Sequence, residues 1–345
     1  MLGLVFLDCF VATLFMRTVF LFNEKDGLTM ISSYLKFENS YPEVKTEKPD
    51  MVGRLLQTLG MCTSFGLPGF MTTMLAVDGC KPPHLGYMLY YSAEKQCEIP
   101  NYFARVGLLL FDYYMWTSSI APACYYVFHF MFVGLRCMDH YIQFLRRILR
   151  NKSAATKQQV LPISEPQPQL ESPQMNNTEA VLPTLKIVRQ NIKQLEPRHS
   201  NIFFIYRQIQ VMNKLYDEVL QAVFLPTIIG AACSCIIISL YACIKLHRMI
   251  PMPGLAFFPL LASDGFSVIY IVKVAAALLK QSEMFLETLR NNSKYSNKSV
   301  FKKVARSVVK IKVRFGSTNF IDQLTPFIFM DFCLTHTVTL MLVTS

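Results

Sequence analysis

The sequence predicts an all-α, polytopic membrane protein, and three observations carry that reading. Of 345 residues, 52% are hydrophobic and only 17% charged, against about a quarter charged in soluble domains. Six windows stay apolar over the roughly 20 residues a helix needs to cross ~30 Å of hydrocarbon. Lysine and arginine also partition between alternate loops, as positive-inside orientation requires.

The first window, Met1–Phe22, has the length of a signal peptide. It lacks a basic start, Asp8 interrupts its apolar core, and no small-residue cleavage site precedes "NEKDG". A retained helix is expected. The second and third windows, Leu55–Val77 and Val106–Val133, flank a polar loop over residues 78–105. The last three are Val219–Ile244, Leu255–Leu279 and Thr325–Val343.

Basic residues fix the expected orientation. Asn23–Arg54 holds five, Leu135–Ser200 ten and Gln281–Asn319 nine, whereas Asp78–Arg105 and Lys245–Gly254 hold five together. The first set is therefore expected in the cytoplasm and both chain ends outside. An external amino terminus without a signal peptide is unusual, so the chain is expected to lack one span at its start. The sequons at Asn151, Asn176, Asn291 and Asn297 then fall inside, where no glycan is added. The net charge of +11 reads as topology signals and solvated helix faces. No interleaving of basic and aromatic residues suggests nucleic acid as a partner.

Several inner segments continue the helical rhythm of the spans beside them. Leu135, Met138, Ile142, Leu145 and Leu149 recur every three or four residues, as do Ile205, Ile209, Met212, Tyr216, Val219 and Val223. Val300, Val304, Val308, Ile311 and Phe315 make a third stripe, opposed by Lys302, Lys303, Arg306 and Lys310. These extensions are expected to form an inner bundle; the alternative for the third is a basic helix lying on anionic lipid. Residues 151–183, with five prolines, read as a disordered linker. Residues 1–150 thus carry the first three spans, and residues 184–345 the remaining extensions and the last three.

This arrangement resembles the insect gustatory and odorant receptor family. The likeness lies in the basic interior, the extensions flanking a linker, and "SVFKKVARSVVKIKVRFG" leading into "NFIDQLTPFIFMDFCLTHTVTLMLV". The six windows would correspond to the family's second to seventh helices. The resemblance implies a chemoreceptor channel of the plasma membrane, with the last helix lining the pore and the inner extensions anchoring four subunits. The expected function is a ligand-gated cation channel opened by a small odorant or tastant, in a homo- or heterotetramer with co-receptor subunits. A heptahelical G-protein-coupled or other multipass receptor is the alternative, and a transporter a further one. Against the coupled receptor stand the missing Asp/Glu-Arg-Tyr triplet after the third span and the missing Asn-Pro-x-x-Tyr in the last.

Candidate site residues follow. The third span, "LLLFDYYMWTSSIAP", offers Tyr113, Tyr114, Trp116 and Thr117, large apolar faces with a few donors, as a small-molecule pocket lining. The alternative is an interfacial aromatic belt. Phe70 and Met74 from the second span, with Phe257 and Phe258 from the fifth, face them from neighbouring outer halves. On the last span, Asp331, Thr335, Val338, Thr339 and Leu342 share one stripe at helical spacing. They read as a pore wall, or as groups bonded to a neighbouring helix and their own backbone. Asp8, Arg17, Asp112, Lys273 and Lys280 lie near span ends; Asp264, Asp331 and His336 lie deeper, where ionisable groups are costly.

No catalytic role is expected. Asp139 and His140 are adjacent and point about 100° apart on a helix, and no spacing joins a nucleophile to a base. Cys80 and Cys97 share the outer loop, so they pair as a disulfide or remain two thiols. "CSC" at Cys233–Cys235 is too tight for zinc spacing. No metal or other cofactor is expected.

Overall fold

The computed structural model describes residues 10–18, 22–42, 51–77, 101–159, 202–221, 223–247, 252–294, 303, 306–316 and 319–344. Over these the chain is nearly all-α. The helices are α1 (residues 10–18), α2 (Glu24–Ser40), α3 (Met51–Val77), α4 (Tyr102–Cys124), α5 (Phe132–Gln159), α6 (residues 202–220), α7 (Phe224–Lys245), α8 (Met252–Lys294) and α9 (Thr325–Val343). A π-helical turn, Tyr125–Met131, joins α4 to α5. Two short antiparallel strands, β1 (Arg314–Phe315) and β2 (Asn319–Phe320), precede α9.

Among the described residues, four stretches are long and apolar enough to cross a membrane: Tyr102–Arg150, Phe224–Lys245, Leu255–Asn291 and Thr325–Val343. They cover the last four of the six expected windows, except that Val219–Val223 precedes α7. The Leu55–Val77 window is helical, within α3, and is not among those four. The Met1–Phe22 window is described only at residues 10–18 and 22. The Cys80 and Cys97 pair, and most of the expected linker, lie outside the described residues. The linker's first nine residues, 151–159, continue α5 as helix.

The chain forms two compact units. The first comprises Met1–Asp139, Asn213–Lys280 and Ile311–Ser345. Here α3 packs along α4, and α9 packs on α7. Pro122 of α4 cannot donate to the carbonyl of Ser118 one turn back. That carbonyl instead accepts from Arg17 Nη2 at 2.5 Å, which ties α1 to α4. The π-helical turn starts three residues after the proline, where the ladder is already disturbed. Its Met131 carbonyl accepts from the buried Tyr216 hydroxyl at 3.2 Å.

The sequence pattern fails ahead of α9. The third inner stripe is expected to be helical from Val300 to Phe315, yet residues 308–313 are not helical and lead into the hairpin. Val300 and Val304 lie outside the described residues. The reason is a competing period of two: Ile311 and Val313 are each 2% exposed, while Lys310 and Arg314 face solvent. In the first unit, side chains of α6 supply the partners this backbone lacks. Asn213 Nδ2 donates to the Lys312 carbonyl at 3.1 Å, and the Arg314 N–H donates to Asp217 Oδ1 at 3.1 Å. Gly316, at φ 65°, turns the hairpin and bonds Gln221 through both its N–H and its carbonyl.

The second unit comprises His140–Met212 and Gln281–Lys310. It buries Ile142, Leu145 and Leu149 of α5, Ile205 and Ile209 of α6, and Phe285 and Leu289 of α8. Tyr206 stacks on Phe285 with ring centroids 4.9 Å apart, bonds Ser282 at 2.9 Å and donates to the Val309 carbonyl at 3.0 Å. Arg146 donates to Gln281 at 3.2 Å. The first two predicted stripes are therefore buried faces, except that Val223, which caps the start of α7, is 41% exposed.

Candidate functional site

Within the first unit, α1, α3, α4, the π-helical turn, α7 and α8 line a partly open cavity of about 140 Å³. Its walls are apolar: Met16, Leu67, Trp116, Val127, Phe128, Ala232, Phe257, Leu261 and Val268 are among the lining residues. The π-helical turn supplies Val127 and Phe128. Leu261, Asp264 and Val268 recur at helical spacing, so one face of α8 lines the space. Phe257 is held from behind by stacking on Phe70 at 5.7 Å and by an edge contact with Phe258 at 5.6 Å. Gly265 lets α8 approach α7: a Cβ there would lie 2.5 Å from Ile236 Cγ1 and 2.9 Å from the Ala232 carbonyl oxygen.

Asp264 is the one acidic group on the lining. Thr63 of α3 donates to its Oδ1 at 3.0 Å across 201 residues of sequence. Among the described residues this is the only polar contact of Asp264, and no lysine, arginine or histidine pairs with it.

Among the expected pocket residues, Trp116 and Phe257 line the cavity, while Phe70 and Phe258 buttress Phe257 without lining it. Tyr114 is 67% exposed and lies about 160° around α4 from Trp116, so it faces outward. Tyr113 is also exposed, a turn beyond the lining, and Thr117 is absent from the wall, its buried hydroxyl without a partner among the described residues. The side chain of Met74 lies outside the described residues. Sequence reading flagged Asp264 by depth but missed Thr63, Met16 and the π-turn residues. Ordinary small or apolar residues carry no local mark of a shared cavity.

The last helix begins at a polar cap. Asp322 Oδ1 accepts the N–H groups of Leu324 and Thr325 at 3.0 and 2.9 Å and the Thr325 hydroxyl at 2.7 Å. Those donors, the hydroxyl foremost, hold the Asp322 carboxyl below its usual range. Pro326 follows in the first helical turn, where a missing N–H costs nothing. At the far end, Lys245 Nζ reaches the Met341 carbonyl at 3.3 Å and the Thr344 hydroxyl at 2.8 Å, a cation placed on the helix C-terminus. Tyr241 adds a bond to Thr344 at 3.0 Å.

Between these ends α9 buries only Pro326, Cys333 and Thr337. Asp331, Thr335, Val338, Thr339 and Leu342 are all exposed, on the opposite side of the helix. Asp331 makes no ion pair or hydrogen bond among the described residues. Thr339 donates to the Thr335 carbonyl at 2.9 Å, which leaves its oxygen free to accept. Among the described residues no cluster of His, Cys, Asp or Glu could hold a metal ion.

These features define a helical chain with four candidate membrane spans among its described residues, an apolar cavity and a last helix packed on one side only. No protein-family model matches the chain, and no curated protein matches it either.

Proposed function

We propose that the chain is a chemosensory receptor subunit of the plasma membrane, a ligand-gated cation channel opened by a small odorant or tastant. It works in a homo- or heterotetramer with co-receptor subunits, spans the bilayer six times and keeps its basic inner segments in the cytoplasm. The observation that carries this reading is the position of α7. Ile228, Ala232 and Cys235 line the cavity, whereas Cys233, Tyr241 and Lys245, on other faces of the same helix, contact α9. A molecule in the cavity thus touches the helix on which the last helix rests. Ligand opens the channel by binding the open arrangement more tightly than the closed one. The unpacked face of α9, with Asp331, Thr335 and Thr339, meets its equivalents around a pore and supplies oxygen groups to cations.

Whole-cell recording from cells expressing the full chain, with a panel of compact tastants and odorants and a G-protein blocker, tests the reading. A blocker-insensitive cation current is expected, and Trp116→Ala should raise the half-maximal concentration roughly tenfold at unchanged surface level, since aromatic anchors carry much of the binding energy. Current abolished by the blocker would make the protein a coupled receptor. An unshifted dose-response curve would place the ligand elsewhere.

A further inference from the structure

We infer that the cavity takes a compact apolar molecule bearing one ammonium group, with Asp264 as the residue that recognises the cation. This rests on the reading of the cavity as the ligand site.

The placement of Asp264 motivates the inference. It lies about 14 Å along α8 from Leu255, at 1.5 Å per residue, inside a stretch long and apolar enough to cross a membrane. Leu261 and Val268, three residues before it and four after, line the same cavity, so its carboxyl faces that space. A carboxylate among apolar walls is strongly disfavoured unless it meets a cation or several donors. Here one donor is present, the Thr63 hydroxyl on Oδ1. Oδ2 has no partner among the described residues, and the rest of the lining offers no basic side chain.

The surroundings choose among cations. Calcium takes six to eight oxygen ligands and magnesium near-octahedral coordination, whereas one carboxylate and the hydroxyls of Thr13 and Thr63 present four side-chain oxygens at most. An ammonium group needs only an acceptor and benefits from aromatic faces, which Trp116 and Phe257 supply on the same wall. The remaining walls suit an apolar body. A cavity of about 140 Å³ is close to the ~150 Å³ apolar space that admits a benzene ring, which limits the body to about one small ring or a short branched chain.

The chain contains a single tryptophan, Trp116, and it lines the cavity. Its fluorescence reports occupancy without any need for channel activity. Purified full-length protein in nanodiscs should be titrated at neutral pH with benzylamine, which is protonated there, and with benzyl alcohol, its neutral counterpart of similar shape. Both probes should change Trp116 emission saturably, with benzylamine binding roughly tenfold more tightly, a typical discrimination for a charge-assisted contact. Asp264→Asn should reduce that preference to about twofold or less while leaving benzyl alcohol binding intact, which also shows that the variant is folded. Thr63→Val, which strips the carboxylate's internal donor, should keep the preference for the amine. Equal binding of both probes, or an amine preference that survives Asp264→Asn, would overturn the assignment while leaving the cavity a ligand site. No saturable change with either probe would remove the cavity reading, and this inference with it.

Discussion

Gly265→Val is expected to cost about 3 kcal/mol, the upper range for overpacking a well-filled interior, and to lose most of the folded protein. The added Cβ alone would sit 2.5 Å from Ile236 Cγ1 and 2.9 Å from the Ala232 carbonyl oxygen. Rotation of one side chain cannot relieve both contacts, because Ala232 contributes backbone. The two helices must separate, and Ala232 and Gly265 are themselves cavity walls. Thermal unfolding of the purified variant should show a markedly lower midpoint, with Gly265→Ala intermediate. A midpoint equal to the wild type would mean that α7 and α8 do not meet at this glycine.

The second large effect concerns Asp217, outside the membrane-spanning stretches. Burial lifts its carboxyl from 3.8 to about 6, against the Arg314 N–H, the Arg314 charge and the Asn213 amide, which favour the charged form. A folded-state value above the unfolded one means that the group stabilises the fold fully below about pH 4. That contribution is lost as pH rises through about 6. A shift of two units corresponds to roughly 3 kcal/mol at 1.36 kcal/mol per unit. Asp217→Asn should therefore flatten the fall in stability between these values and raise stability at neutral pH. The new amide keeps an acceptor for the Arg314 N–H and gives up only the long 3.3 Å bond that Oδ2 accepts from Asn213 Nδ2, which still donates to the Lys312 carbonyl. Unfolding of both proteins across this pH range provides the check: parallel curves, or a less stable variant at neutral pH, would contradict the burial argument.

Much of the fold was legible because a membrane span writes itself in composition. The Phe224–Lys245 and Thr325–Val343 helices match their predicted windows to within a few residues. The inner stripes at Leu135–Leu149 and Ile205–Val219 were legible for the same physical reason, since a packed helix must bury a residue every three or four positions. The stretch before α9 was misread because "SVVKIKVRF" satisfies both periods, and the polar side chains that bond its backbone, Asn213, Asp217 and Gln221, lie about a hundred residues earlier.

The candidate site was legible only in part. Trp116 and Phe257 were visible as large aromatic groups within apolar spans. Tyr114 has the same chemistry and faces outward, because one or two residues of helical rotation decide between wall and exterior. Thr63 meets Asp264 through tertiary packing alone. The stripe on α9 was readable in full, since spacing along one helix needs no knowledge of its neighbours. Its exposure opposite Cys333 and Thr337 is what spacing alone did not give.

The central claim is that this exposed face lines a water-filled conduit, and cysteine accessibility tests it most directly. Thr335 and Thr339 would each be replaced by cysteine in a chain whose accessible native cysteines are serine, with Thr337→Cys as the buried control and Leu340→Cys as the off-stripe control. A membrane-impermeant, positively charged thiol reagent reacts only where water reaches. Applied during ligand-evoked current, it should block channels carrying Thr335→Cys or Thr339→Cys and spare both controls. Reaction at Leu340→Cys with none at Thr335→Cys or Thr339→Cys, or no block at any position, would contradict the account.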